Sequence, residues 1–256
     1  MSLPSQRLDL VLVRRGLARS RGQACDLIRA GQVTVDGRST TKISALVPES
    51  AQLEVVADPW VSRAAHKLLG ALDEAQVEVP ARVLDAGAST GGFTQVLLAR
   101  GAQRVYAVDV GHDQLAPTLR ADPRVVVREG LNLRDLVLDD VEGDPVGLVV
   151  ADVSFISLRL LLAPLVSVLR PDGSALLLVK PQFEVGRGVL SSRGVVLSSE
   201  ARAAAVDGVA ETAAALGWVE TWRGPSRLPG PAGTIEWFLL LQPEIQPPSC
   251  TCPDVS

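Results

Sequence analysis

The stretch Leu84-Asp-Ala-Gly87-Ala-Ser-Thr-Gly91-Gly92-Phe93-Thr94 reads as the turn between a buried strand and the helix that follows it. Glycines let the backbone turn sharply and approach a ligand, and the first helical turn offers unpaired N–H groups. Dinucleotide-binding folds carry G-x-G-x-x-G at this place. Here the spacing is G-x-x-x-G-G, an acid stands two residues before the first glycine, and no lysine follows to hold a triphosphate. Asp109 ends the next strand, about 20 residues on, where a carboxylate can accept both hydroxyls of an adenosyl ribose. The loop points to an adenosyl cofactor. By itself it leaves a methionine-linked and a nicotinamide-linked one open.

Working outward, Arg82–Asp85, Arg104–Asp109, Val125–Arg128, Gly147–Asp152 and Ala175–Lys180 read as buried strands. Helical stretches near 92–100, 113–120, 133–138 and 157–169 separate them. A helix over Ser199–Leu216 and strands near Trp218–Arg223 and Thr234–Gln242 follow. Such alternation gives an α/β fold, an open, mainly parallel sheet with helices on both faces. The last two strands add an antiparallel pair at one edge, which makes the sheet seven-stranded.

Ahead of this body lies a small α+β module, residues 5–58. Leu8, Val11, Leu12 and Arg15 follow helical spacing up to Gly16. Ser20 caps a second helix, with Gln23 in the capping-box position and Ala24, Leu27 and Ile28 on one face. Gln32–Val35 and Gln52–Val56 read as strands, with Asp36-Gly37 a tight turn. Residues 59–64 are expected to link the module to a body spanning 65–242, which opens with the connecting helix near Val61 to Ala75. The Pro-rich tail, 243–256, reads as disordered. Its Cys250 and Cys252, with Cys25, make no disulfide framework, and no metal site is expected.

A chain of 256 residues has room for two domains. Its 47% hydrophobic and 21% charged residues exclude a disordered polypeptide. Net charge is −4, but residues 1–42 hold eight cations against three carboxylates, a surplus of five, so the remainder carries −9. No apolar run approaches the ~20 residues that span a bilayer, and the N-terminus has no signal pattern. A soluble, cytoplasmic protein is expected.

Three strand ends carry charge. Asp152 closes Gly147–Asp152, Lys180 closes Ala175–Lys180, and Glu236 interrupts the apolar run of the last strand. Lys67 projects from the connecting helix. Of 25 cations only Lys42, Lys67 and Lys180 are lysines, and two of these occupy candidate site positions. A compact ammonium that loses its proton when buried suits proton chemistry as guanidinium does not.

Several motifs together resemble the TlyA family, haemolysin-named ribosomal RNA 2′-O-methyltransferases with an FtsJ-like catalytic domain. They are Arg7-Leu-Asp with Val13-Arg-Arg-Gly-Leu17, Ser20-Arg21 with Leu27-Ile28 and Gly31–Val35, Val61-Ser-Arg63 with Lys67-Leu68, Asp85–Thr94, Asp152–Leu158 and Lys180–Glu184. The resemblance runs from about residue 5 to 242. It implies S-adenosylmethionine as methyl donor, a Rossmann-like methyltransferase domain, and a catalytic tetrad of Lys67, Asp152, Lys180 and Glu236. The cofactor residues it assigns are Asp85, Gly87, Ala88, Ser89, Gly91, Gly92, Phe93, Asp109, Asn132 and Asp152. The N-terminal module resembles the RNA-binding domain of small-subunit ribosomal protein S-four. Asp58-Pro59 stands where the family linker often carries a basic residue before Trp-Val.

Joined to such a domain, the basic module reads as a contact for phosphates of ribosomal RNA or ribosomal subunits, through Arg7, Arg14, Arg19, Arg21 and Lys42, with Arg63 beyond it. Lys180 is expected to act on the ribose 2′-hydroxyl, held by Asp152 and Glu236, with Lys67 balancing the charge. Competing expectations are a non-catalytic RNA-binding or assembly factor and a membrane-active haemolysin. A base methyltransferase usually carries an Asn/Asp-Pro-Pro-Tyr/Phe motif where this chain has Asp152-Val-Ser-Phe155.

Overall fold

The computed structural model describes residues 5–29, 31–56, 58–191, 194–230 and 233–244. The chain divides after Pro59 into two compact units. The Cys250/Cys252 tail lies outside the described residues.

In the first unit β1 (Gln6–Arg7) runs into α1 (Leu8–Arg14), and α2 (Arg21–Arg29), β2 (Val33–Val35), β3 (Arg38–Ser39), β4 (Leu46–Val47) and β5 (Leu53–Val55) follow. β1 pairs with β4, and β2 lies between β3 and β5, all antiparallel. The helices bury Leu8, Val11, Leu12, Ala24 and Ile28 against Val33 and Val47. The two-residue strands were not visible in the sequence pattern, being too short for an alternation to show. At α2 the Gln23 N–H donates to Ser20 Oγ (3.2 Å), while Gln23 Oε1 accepts the Arg19 N–H (2.7 Å). The capping box is thus shifted, reaching back to Arg19 rather than Ser20.

The second unit comprises α3 (Ala64–Glu74), β6 (Arg82–Ala86), α4 (Gly92–Ala99), β7 (Arg104–Asp109), α5 (Pro117–Arg120), β8 (Val125–Glu129), β9 (Val146–Ala151), α6 (Leu162–Ser167), β10 (Leu169–Val179), α7 (Pro181–Glu184), α8 (Ser199–Ala214), β11 (Trp218–Pro225) and β12 (Trp237–Pro243). The sheet order is β11-β12-β10-β9-β6-β7-β8. Only the pairings of β12, with β10 and with β11, are antiparallel. α3 and α4 cover one face and α6 and α8 the other, each over its own apolar cluster.

Several expected boundaries move; β10 already begins at Leu169, not Ala175, so the helix expected over 157–169 shortens to a 3₁₀ turn, Leu158–Leu160, and α6. The helix near 113–120 is the single turn of α5, held short by Pro117. The stretch near 133–138 forms two 3₁₀ turns, Leu133–Asp135 and Leu138–Val141. β12 begins at Trp237, so Glu236 precedes the strand instead of interrupting it. Residues 60–63, expected as linker, belong to the second unit: Trp60 packs on the α3–α4 face, and the Val61 N–H donates to Gln95 Oε1 (2.7 Å).

Candidate active site

Side chains alternate across a strand, so parity decides which end groups meet. Leu148 and Val150 of β9, Leu176 and Leu178 of β10, and Phe238 and Leu240 of β12 all lie in the cluster under α3 and α4. Two residues further along each strand stand Asp152, Lys180 and Glu236. All three emerge on that face at the end of the sheet where β9 and β10 finish. α3 lays Leu68 and Leu72 on the same face and so brings Lys67 to that end.

A cavity of about 580 Å³ opens there, lined by Lys67, Asp152, Lys180 and Glu236 together with Arg63, Ser154 and the glycine-rich loop. The charges form two pairs. Lys180 Nζ lies 2.6 Å from Asp152 Oδ1 and donates to Ser154 Oγ (2.8 Å). Lys67 Nζ lies 2.5 Å from Glu236 Oε2, both side chains buried. Glu236 therefore serves Lys67, not Lys180 as expected. It sits under α3, where Lys67 is the cation that comes down to it, while Lys180 is already held by Asp152 and Ser154.

A second cavity of about 540 Å³ shares Gly87, Ser89, Asp152, Ser154 and Phe155 with the first and is further lined by Asp109, Gly111 and Asn132. Gly87 has φ +85°, and a Cβ there would lie 2.9 Å from the Asp152 carbonyl oxygen, so only glycine lets the loop pass β9 so closely. Asp109 accepts the Ser89 N–H on Oδ2 (2.8 Å) and the Gly111 N–H on Oδ1 (2.7 Å). A carboxylate has about four acceptor sites, so Asp109, which lines this cavity, keeps acceptor capacity beyond these two bonds. Asn132 Oδ1 accepts the Arg134 N–H (3.1 Å).

Of the expected cofactor residues, Gly87, Ala88, Ser89, Gly92, Phe93, Asp109, Asn132 and Asp152 line one cavity or both. Asp85 and Gly91 do not. Asp85 points under α4, where its Oδ2 accepts the Thr94 hydroxyl (2.6 Å). Burial pushes its carboxyl up to about 7, the Thr94 bond opposes this, and the Asp152 charge adds to it. Asp85 anchors the loop from behind. Gly91 turns at φ +94° toward Leu115 and Leu119.

The cations expected to meet RNA differ in circumstance. Arg7 and Arg21 both bind the buried Asp9, at 3.0 and 2.8 Å, and hold its carboxyl down to about 2. Arg14 pairs with Glu49 at 3.5 Å. Among the described residues, Arg19 and Lys42 have no carboxylate within ion-pair distance.

Three features beside the cavities were not singled out from the sequence. Phe155 is 92% exposed, has φ +67° and leans against Phe183 with ring centres 5.4 Å apart. Glu184 is buried and ties the 152–158 loop to the segment after Lys180. Thr234 lies buried beside Glu236. Phe155 falls inside the Asp152–Leu158 motif and Phe183 and Glu184 inside Lys180–Glu184, and their spacing around Asp152 and Lys180 is the signal the sequence offers.

The FtsJ-like methyltransferase family matches residues 60–242, and the S4 domain family matches residues 6–53. The 16S/23S rRNA (cytidine-2′-O)-methyltransferase TlyA of Mycobacterium tuberculosis strain H37Rv is 52% identical over 240 residues, 92% of this chain and 89% of that protein. The chain belongs to the TlyA family of FtsJ-like methyltransferases. Another TlyA-like relative, Hemolysin A of Brachyspira hyodysenteriae, is 37% identical, covering 91% of this chain and 98% of its own. A Streptococcus thermophilus structure described as a candidate hemolysin superposes with a TM-score of 0.74 at 35% identity, over 96% of this chain and 91% of that one. Among the described residues no helix of this TlyA-family chain is long and apolar enough to cross a membrane.

Proposed function

We propose that the chain transfers a methyl group from S-adenosylmethionine to the ribose 2′-hydroxyl of a cytidine in ribosomal RNA, in the cytoplasm and with ribosomal subunits as the bodies it meets. The observation that carries this is the Lys180–Asp152 pair: Asp152 lines both of two adjoining cavities, and Lys180, bound to it, faces the first. One cavity suits the methyl donor and the other the acceptor nucleoside.

The residues fit the donor. Gly87 leaves its backbone open to close approach, and the acceptor capacity that Asp109 keeps beside the cavity suits the two hydroxyls of an adenosyl ribose. When bound, S-adenosylmethionine supplies an electrophilic methyl on a sulfonium. The chain's part is to hold the acceptor hydroxyl in line and to stabilise the negative charge that grows on its oxygen. Lys180 is the group to do this: Asp152 and Ser154 fix its ammonium, which faces the first cavity. The Lys67–Glu236 pair completes a set of two ion pairs, so none of these four charges stands alone.

Phe155 supports an RNA acceptor. A bulky residue at positive φ is strained, and an aromatic side chain left 92% exposed forfeits its burial. Both are accounted for by a face on which an unstacked base lies, the usual mode of single-stranded RNA recognition. Basic side chains of the S4-type unit, Arg19 and Lys42 among them, would contact phosphates elsewhere, as would Arg63 at the cavity.

The test is transfer of tritiated methyl from S-adenosylmethionine to separated small subunits, large subunits and free rRNA, followed by mapping of ribose methylation. A 2′-O-methylcytidine at a defined position is the expected product. Tight S-adenosylmethionine binding with no transfer to any of the three would instead make this a non-catalytic RNA-binding factor.

A further inference from the structure

Thr234 and Glu236 are two residues apart in the extended segment that enters β12. Both therefore line the first cavity, while Ile235 between them is exposed. The Gly230 N–H donates to the Thr234 carbonyl (2.9 Å), and the Ser226 N–H to the Glu236 carbonyl (2.8 Å), so the hairpin itself sets the two side chains. Glu236 is 1% exposed and Thr234 4%. Glu236 Oε2 accepts from Lys67, but its Oε1 and Thr234 Oγ1 are buried without a hydrogen-bond partner. A Cβ on Gly230 would lie 2.2 Å from Thr234 Oγ1 and 2.5 Å from Glu236 Oε1. Glycine at this position thus lets the backbone pass close to the two orphaned oxygens without displacing them.

Buried polar atoms in folded proteins have partners, and two without one on the wall of a cavity mark where a ligand group belongs. A carboxylate oxygen only accepts, and a threonine hydroxyl accepts and gives, so a group that serves both is a hydrogen-bond donor. The two oxygens adjoin the reacting pair. Val179 and Trp237 are register partners, which makes Lys180 and Glu236 the next residues out from β10 and β12. Neither Thr234 nor Glu236 lines the adenosyl-type cavity.

Resting on the function proposed above, we propose that Thr234 Oγ1 and Glu236 Oε1 form a subsite for a hydrogen-bond donor of the acceptor nucleotide, either its ribose hydroxyl or an exocyclic amine of its base. Thr234 is then a specificity residue outside the four charged groups.

Thr234→Val keeps the shape and removes the hydroxyl, Thr234→Ser keeps the hydroxyl, and Gly230→Ala crowds both oxygens. The measurements are kcat and KM for whichever RNA the wild type methylates, the calorimetric Kd of S-adenosylhomocysteine, the Kd of that RNA with S-adenosylhomocysteine bound, and the thermal midpoint. Thr234→Val and Gly230→Ala are expected to lower kcat/KM for RNA by about tenfold or more, as one lost hydrogen bond would. Thr234→Ser should stay within about threefold, and neither Thr234 variant should change S-adenosylhomocysteine affinity or melting; Gly230→Ala, whose methyl must displace one of the two oxygens, should also melt lower. A loss carried by KM assigns the donor to the base, and one carried by kcat to the reacting hydroxyl. Unchanged kcat/KM in Thr234→Val overturns the subsite, and so does a matching loss of S-adenosylhomocysteine affinity. If the wild type binds RNA but transfers no methyl, the proposed function fails separately. Weakened RNA binding by Thr234→Val would still uphold the subsite, and unchanged binding would end it.

Discussion

Glu184 accepts the Leu158 amide proton at 2.7 Å, and that bond joins the loop that follows Asp152 to the segment that follows Lys180. The same carboxylate accepts the Ser157 hydroxyl at 2.5 Å and the Arg159 Nε–H at 3.3 Å, and the Glu184 carbonyl accepts from Arg159 Nη2. Asp152, Ser154 and Phe155 sit on the loop so held. Glu184→Ala would leave a buried amide and hydroxyl unpaired, a loss of about 2–4 kcal/mol. Melting should fall accordingly, and methyl transfer should fall further than melting alone explains. Glu184→Gln, which still accepts from Leu158, should recover most of both. Equal activity in the alanine and glutamine variants would show that the latch does not position the site.

Lys180→Arg tests whether charge alone suffices. A guanidinium can keep a bond to Asp152 but is wider than an ammonium, and it cannot give up its proton. Turnover is expected to drop by at least about 100-fold with S-adenosylmethionine binding preserved. Single-turnover methyl transfer measures this, and near-wild-type rates would remove Lys180 from the chemistry.

Much of the site was legible because its parts obey simple periods. The glycine-rich loop, the acid ending β7 and the charges just beyond β9 and β10 all follow from strand alternation and from where open sheets bind ligands. The pairing of those charges was not legible. Nothing in the sequence says that α3 lowers Lys67 onto Glu236, because that depends on how one helix lies across three strands. Asp85 misled for a related reason: its place in the loop motif suggests a ligand, yet its parity with Val83 turns it under α4 toward Thr94. The two-residue strands of the first unit gave no periodic signal at all.

Phe155 should matter to RNA and not to folding. Its ring is exposed and its φ is +67°, so Phe155→Ala removes little packing and changes stability by no more than about 0.5 kcal/mol. A stacked base is worth about 1–3 kcal/mol, or roughly 5–150-fold in kcat/KM for RNA. Phe155→Tyr should be close to wild type. If alanine and wild type methylate RNA equally well, no base stacks there.

The first unit should be acid-sensitive through Asp9. Its carboxyl is held down to about 2, chiefly by the Arg7 hydrogen bond, with Arg21 assisting. A lowered pKa contributes stability that is present above the unfolded value near 4 and is lost as pH falls through 2. Hydrogen exchange of residues 8–14 should therefore accelerate between about pH 4 and 2 in the wild type. Asp9→Asn should show faster exchange already at pH 7 and little further change over that interval. An unchanged wild-type profile would mean that Arg7 and Arg21 are not bound to Asp9 in solution.

Asp85 should act in the opposite direction. Its carboxyl is raised to about 7, mostly by burial, so between pH 4 and 7 the folded state keeps a proton that the unfolded state has lost. Stability from this group is greatest at low pH and declines as pH rises through that range, because above 7 a bare carboxylate lies buried under α4. Asp85→Asn stays neutral and can still accept the Thr94 hydroxyl. At pH 5 the variant and wild type should melt within about 2 °C of each other, and at pH 8.5 the variant should melt higher, by on the order of 5 °C. Thermal melts across that range decide the matter. A variant that loses stability equally at both pH values would show that Asp85 is held as a charged group whose partner the asparagine cannot serve.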